Sequence, residues 1–229
     1  MRIASLKPSE GIPEHMRNIK PLARGWLHLG AAPLSLAASI VLLILAPTTA
    51  TKWASAVYLA ASLILFGVSA LYHRFYWAPK WEIFWRRLDH SNIFLLIAGT
   101  YTPLSVALLS TKDSQTLLLI VWIGAAAGVI LSLFWPTAPR WLITVVYVAL
   151  GWVAVAYLPQ LWTSGGPAVV LLLVAGGILY TIGALFYALK KPNISTKWFG
   201  FHELFHLFTV LAWTCHCIAV YFAVLLHAH

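Results

Sequence analysis

His202 and His206 stand four residues apart in the stretch "FGFHELFHLF", at the head of a long apolar run, with Glu203 between them. Residues i and i+4 share one face of a helix, so the two imidazoles can bind one ion together. His73 closes a second apolar run, and Ser69 lies one turn before it on the same face. Asp89, followed by His90, opens a third. An ionisable side chain inside a lipid-embedded segment is costly and marks function by default. Three imidazoles with one coordination position left open are the donor set of catalytic zinc, which lowers the pKa of its water to about 7. Asp89 is a candidate general base toward that water. Ser69 is the right kind of group to orient the water or to donate to a developing oxyanion.

The elements that must position these groups are apolar. Of the 229 residues, 61% are hydrophobic and 9% charged, against about 25% charged in a soluble domain. Seven apolar segments follow one another at 26–46, 53–73, 88–109, 116–135, 141–158, 167–189 and 200–226. Each is long enough to cross a bilayer, which takes about 20 residues. Pro47, Pro79, Lys112-Asp113, Pro136 with Pro139, Gly165-Gly166-Pro167 and Lys190-Lys191-Pro192 punctuate the connections. The expected fold is therefore all-α and polytopic. Residues 1–25 form a cytoplasmic tail and residues 26–229 a seven-helix transmembrane domain. The tail has no apolar core of its own, and the run after it is long enough to span, so no cleavable signal peptide is expected. Cys215 and Cys217 are the only cysteines, and at i,i+2 they point in different directions, so no disulfide framework is expected. The 12 Trp and 9 Tyr suit interfacial belts.

The charge pattern orients the spans. The tail carries Arg2, Lys7, Arg17, Lys20 and Arg24; the second connection carries Arg74, Lys80, Arg86 and Arg87; the fourth carries Arg140; the sixth carries Lys190, Lys191 and Lys197. Only Lys52 and Lys112 fall on the other side. Thirteen basic residues against two place the N-terminus in the cytoplasm and the C-terminus outside. This is opposite to the usual seven-helix G-protein-coupled receptor. The net charge of +9 thus reflects cytoplasmic loops and an anionic membrane surface. No basic run with interleaved aromatics suggests a nucleic-acid partner.

With that orientation the second span ends, and the third and seventh begin, on the inner side. His73, Asp89, His202 and His206 then lie at similar depth, although the loop counts did not use them. His216 is much deeper and reads as structural. His90 reads as a neighbour of the site or an interfacial residue. His28 opens the first span and either lines the site or is structural. His227 and His229 form a terminal tail. Glu203 competes with Asp89 for the base role, because HELFH also fits the HExxH pattern of zinc proteases, where the glutamate is the base.

Three blocks, "FGVSALYHRF", "WRRLDHSNIFLLIAGTYTPLSVALL" and "FGFHELFHLFTVLA", occur in order at the second, third and seventh spans. They resemble the bacterial hemolysin III proteins, which are grouped with the progestin and adiponectin receptors (PAQR) and more widely with alkaline ceramidases. The resemblance covers the chain from about the first span onward. It implies seven helices, a cytosolic N-terminus and zinc near the inner leaflet, with activity on lipid amides or esters. It also implies His73, His202 and His206 as metal ligands, with Ser69 and Asp89 as the accompanying polar pair. It favours Asp89 over Glu203 as the base. The N-terminal block departs from the family pattern: Glu14, Asn18 and His28 are present with altered spacing, and Trp26 intervenes.

The expected function is a zinc-dependent hydrolase of the cell membrane, cleaving an amide or ester in a membrane lipid. A sensor with structural zinc is the main rival, and a closed fourth coordination position would favour it. A lytic protein is a second, suggested only by the family name. A proton-coupled transporter is a third; it would need paired broken helices, of which Gly176-Gly177 marks only one.

Overall fold

Apolar runs bounded by capping residues, prolines and glycines become helices. The computed structural model describes residues 21–135, 137–195 and 197–227, and every regular element among them is helical. In chain order they are α1 (Trp26–Leu45), α2 (Thr49–Arg74), α3 (Pro79–Leu108), α4 (Thr111–Phe134), α5 (Arg140–Gly151), α6 (Leu158–Leu189) and α7 (Phe201–Phe222). A 3-10 segment, Trp152–Tyr157, joins α5 to α6, and a π-type turn, Ala223–His227, follows α7. Expectations resting on Arg2, Lys7, Glu14, Arg17, Asn18, Lys20 and His229, and on the side chain of His227, lie outside the described residues.

Local chemistry sets the starts. Thr48 accepts a hydrogen bond from the Thr51 N–H at 3.1 Å and opens α2; Ser110 does the same for Asp113 at the head of α4. α3 begins at Pro79, not at 88 as the apolar run suggests. Proline at the first helical position gives up only an N–H that has no partner there anyway. Residues 79–87 thus form a charged and aromatic helical extension of the third apolar run.

Six helical segments are long and apolar enough to cross a membrane. One of them, Arg140–Leu189, runs 50 residues. Unbroken, it would be about 75 Å long, against about 30 Å of hydrocarbon. Two features interrupt it. One is the 3-10 segment. The other is Gly166, at φ 74° and ψ 175°, a conformation open to glycine alone among the common residues, with Pro167 after it. Here too the observed boundary differs from the expected one: residues 158–165 are helical, where a connection ahead of 167 was expected.

Sequence neighbours pack side by side, α6 most closely with α7, and α1 also touches α7. Small residues permit this closeness. Gly176 lies directly under the His216 ring, so any side chain there would meet the imidazole. Outward faces are apolar: Leu34, Ile44, Leu119 and Leu171 are all exposed. In water such a surface would drive association, whereas in lipid it matches the solvent.

Inside, several polar groups find partners within the protein. Thr100, Thr102 and Thr209 each donate to the carbonyl four residues back. Tyr101 on α3 spans the break after α5: its hydroxyl donates to the Gly151 carbonyl at 2.7 Å and accepts from the Ala154 N–H at 2.9 Å. Backbone groups released from helical pairing at membrane depth need such substitutes. Tyr101→Phe leaves both without this partner. It is expected to cost about 1–3 kcal/mol, read as a lower unfolding midpoint in detergent with the metal content unchanged. An unaltered midpoint would show that the break is held by other means.

Candidate metal centre

α2 and α7 bring three histidines to one point. His73 sits in the last turn of α2, and His202 and His206 occupy the first two turns of α7. One ligand nitrogen from each lies within 4.8 Å of the other two. His73 and His206 are buried, while His202 is partly open toward a polar cavity. The Nε2 atoms of His73 and His202 are 3.2 Å apart. Two nitrogens bound tetrahedrally at 2.0–2.1 Å from one zinc ion would be separated by about 3.3 Å. The donor set fits zinc, with the three nitrogens, within 4.8 Å of one another, needing only to close toward that separation.

Asp89 approaches from α3, its Oδ2 lying 3.4 Å from His73 Nε2. Ser69, buried one turn before His73, shares a hydrogen bond with the Asp89 carboxylate. All five residues singled out by type and spacing therefore meet at one place, contributed by α2, α3 and α7.

Glu203 does not join them. Its carboxylate is buried, accepts the Gly200 N–H at 2.8 Å and pairs with Arg24 just ahead of α1. It therefore closes the N-terminal turn of α7 and ties that turn to the entry of the first span. Both contacts turn this carboxylate toward the backbone and Arg24, whereas Asp89 is the carboxylate beside His73.

The remaining histidines also find places. His28 is buried and stacks on His206, with centroids 3.8 Å apart and planes 9° off parallel, so it backs one of the three imidazoles. His90 shares a hydrogen bond with the Tyr187 hydroxyl at 3.2 Å. His216 donates from Nε2 to the Leu173 carbonyl at 3.1 Å, away from the cluster. Sequence reasoning passed over Tyr187, whose ring packs edge-on to His202 at 5.7 Å. A tyrosine in an apolar span signals an interface as readily as a site, so nothing local marked it.

Three spaces with shared lining residues lie at and beside the cluster. The innermost, about 20 Å³, touches Ser69, Asp89, His202 and His206 and has room for one water. On one side His90, Tyr147, Tyr187 and His202 also border a polar vestibule of about 570 Å³. On the other, Leu65, Ile93, Phe205 and Thr209 also border an apolar slot that runs between α3, α5, α6 and α7 as far as His216.

Comparison with known proteins gives a consistent result. The sequence model of the family described as "Haemolysin-III related" matches residues 16–217. "Hemolysin-3" of Bacillus cereus is 34% identical over 192 residues, covering 82% of this chain and 84% of that protein. "Hemolysin-3 homolog" of Bacillus subtilis (strain 168) is 34% identical over 172 residues, covering 73% and 80%.

Proposed function

This chain belongs to the haemolysin-III-related family and is a multi-pass membrane protein, and from that premise we propose that it is a zinc-dependent hydrolase of lipid amide or ester bonds. The observation that carries the reading is the meeting of three imidazoles and the Asp89 carboxylate beside a pocket sized for one water, between a polar vestibule and an apolar slot. His73, His202 and His206 would hold the ion. Zinc there supplies a Lewis acid that polarises a carbonyl and makes water acidic enough to attack near neutral pH. Asp89 takes the proton from the attacking water and returns it to the leaving amine or alcohol. Ser69 holds the Asp89 carboxylate in position. The apolar slot receives an acyl chain, and the vestibule keeps the headgroup wet.

The reading includes seven spans, with the 50-residue stretch counted as two crossings divided near Gly166. It also includes an inner N-terminus and an outer C-terminus in a bacterial plasma membrane, supported by the thirteen-to-two division of basic residues. A reporter that is active only outside the cell, fused after His229, should be active. Cysteines introduced between 78 and 84 should resist impermeant thiol reagents in intact cells. A reporter active only in the cytoplasm would overturn the orientation. The activity itself is tested by fatty-acid release from ceramides, acyl amides and phospholipids, using the zinc-loaded protein with Asp89→Asn as its matched control.

A further inference from the structure

The polar vestibule is cationic in a way that hydrolysis alone does not require. Among the described residues, Arg24, Arg86, Arg140 and Glu82 are the charged side chains other than histidine on its wall. Arg24 is taken up by Glu203. Arg86 and Arg140 have no carboxylate within ion-pair distance among the described residues, and Glu82 alone cannot balance both.

These two guanidiniums are also tethered to the site. Arg86 lies one helical turn before His90 on α3. Arg140, at the head of α5, sits over the Tyr187 ring at 5.3 Å, and the Tyr187 hydroxyl is bonded to His90. His90 and Tyr187 belong to the wall shared by the vestibule and the water-sized pocket. The three spaces thus follow the order of an acidic lipid: a charged headgroup, a reacting bond and an acyl chain. Guanidinium is the side chain best matched to phosphate and carboxylate, because its planar fork offers paired donors.

We propose that the vestibule binds the phosphate or carboxylate headgroup of the lipid substrate, with Arg86 and Arg140 as its binding residues, so that the protein selects acidic over neutral lipids. The proposal rests on the lipid-hydrolase reading for what happens after binding, but not for the binding itself.

The test uses the full chain, zinc-loaded, in phosphatidylcholine nanodiscs, with chain-labelled phosphatidic acid, phosphatidylcholine and ceramide as probes. Wild type should retain phosphatidic acid at least about tenfold more tightly than either of the others. Arg86→Gln and Arg140→Gln should each weaken that lipid by about tenfold, the loss expected of one charge-assisted contact. The double variant should lose the preference while keeping its zinc. Lys80→Gln and Lys197→Gln lie outside the vestibule wall and should keep the preference. A preference that survives in the double variant overturns the proposal. So does equal erosion by the lysine variants, which marks general surface attraction, or displacement of phosphatidic acid by millimolar inorganic phosphate, which marks a soluble anion. If the arginines control lipid preference but no lipid is cleaved, the headgroup site stands and the hydrolase reading falls. If ceramide is cleaved and no acidic lipid is preferred, the hydrolase reading stands and this proposal falls.

Discussion

His206→Ala is expected to abolish binding of the zinc proposed for the three-histidine site. Wild type is expected to hold about one ion per chain, and the variant a tenth of that or less after dialysis. The reason is the donor count. His73, His202 and His206 place one nitrogen each within 4.8 Å of the others. Two imidazoles cannot replace three for an ion that takes four ligands. Losing a partner outside the coordination shell already costs 10–100-fold in affinity, and losing a ligand costs more than about 100-fold. His202→Ala should behave alike. His216→Ala should keep its zinc, because that ring is committed to the Leu173 carbonyl. His28→Ala is the informative intermediate. It removes only the ring stacked on His206 and should weaken zinc within the 10–100-fold range. Metal analysis by mass spectrometry, with monodispersity in detergent as the folding check, reads all four. A monodisperse His206→Ala with full zinc would refute the assignment.

Much of this arrangement could be read from the chain because lipid punishes polarity so heavily. The apolar runs are helical, as expected of a backbone that has no alternative to helical pairing in hydrocarbon, although they make six long helical segments against the seven expected. His202 and His206 share a face because their spacing is the helical one. Bringing them together with His73 and Asp89 required an ordering by depth, which the basic loops supplied.

What escaped was whatever lies outside the hydrocarbon or depends on distant partners. α3 extends back to Pro79 through Trp81, Glu82, Arg86 and Arg87, a helical stretch whose four charges take it out of an apolar run. The boundary near Gly166 was misplaced because residues 158–165 are helical before the break, and Gly-Gly-Pro reads as a loop. Glu203 is held by Arg24, 179 residues away in sequence. No local pattern announces that pair, and it gives Glu203 a structural partner away from the three histidines. Arg86 and Arg140 were counted as loop charge, because a sequence shows the sign of a residue and not the cavity it lines.

Asp89→Asn separates catalysis from structure. Asparagine is nearly isosteric, and Asp89 approaches the cluster only at its edge, 3.4 Å from His73 Nε2. Zinc should therefore stay bound. The amide cannot take a proton from water, so turnover should fall by about 10²–10⁴-fold, the range for losing a general base. The loss should appear in kcat with little change in KM, because the group acts on the attacking water and not on the acyl chain or headgroup. Ser69→Ala should cost less, about 10–100-fold, because Ser69 works by holding the Asp89 carboxylate. Glu203→Gln should leave kcat near wild type while lowering the unfolding midpoint, since its carboxylate serves Gly200 and Arg24. A kcat lost in Glu203→Gln and kept in Asp89→Asn would reverse the two roles and restore HELFH as a protease-type motif. A zinc-loaded wild type that cleaves no lipid, with Asp89→Asn changing only stability, would make the ion a clamp between α2 and α7. The three imidazoles would then have the chemistry of a sensor's structural site, and the water-sized pocket beside them would be a packing gap.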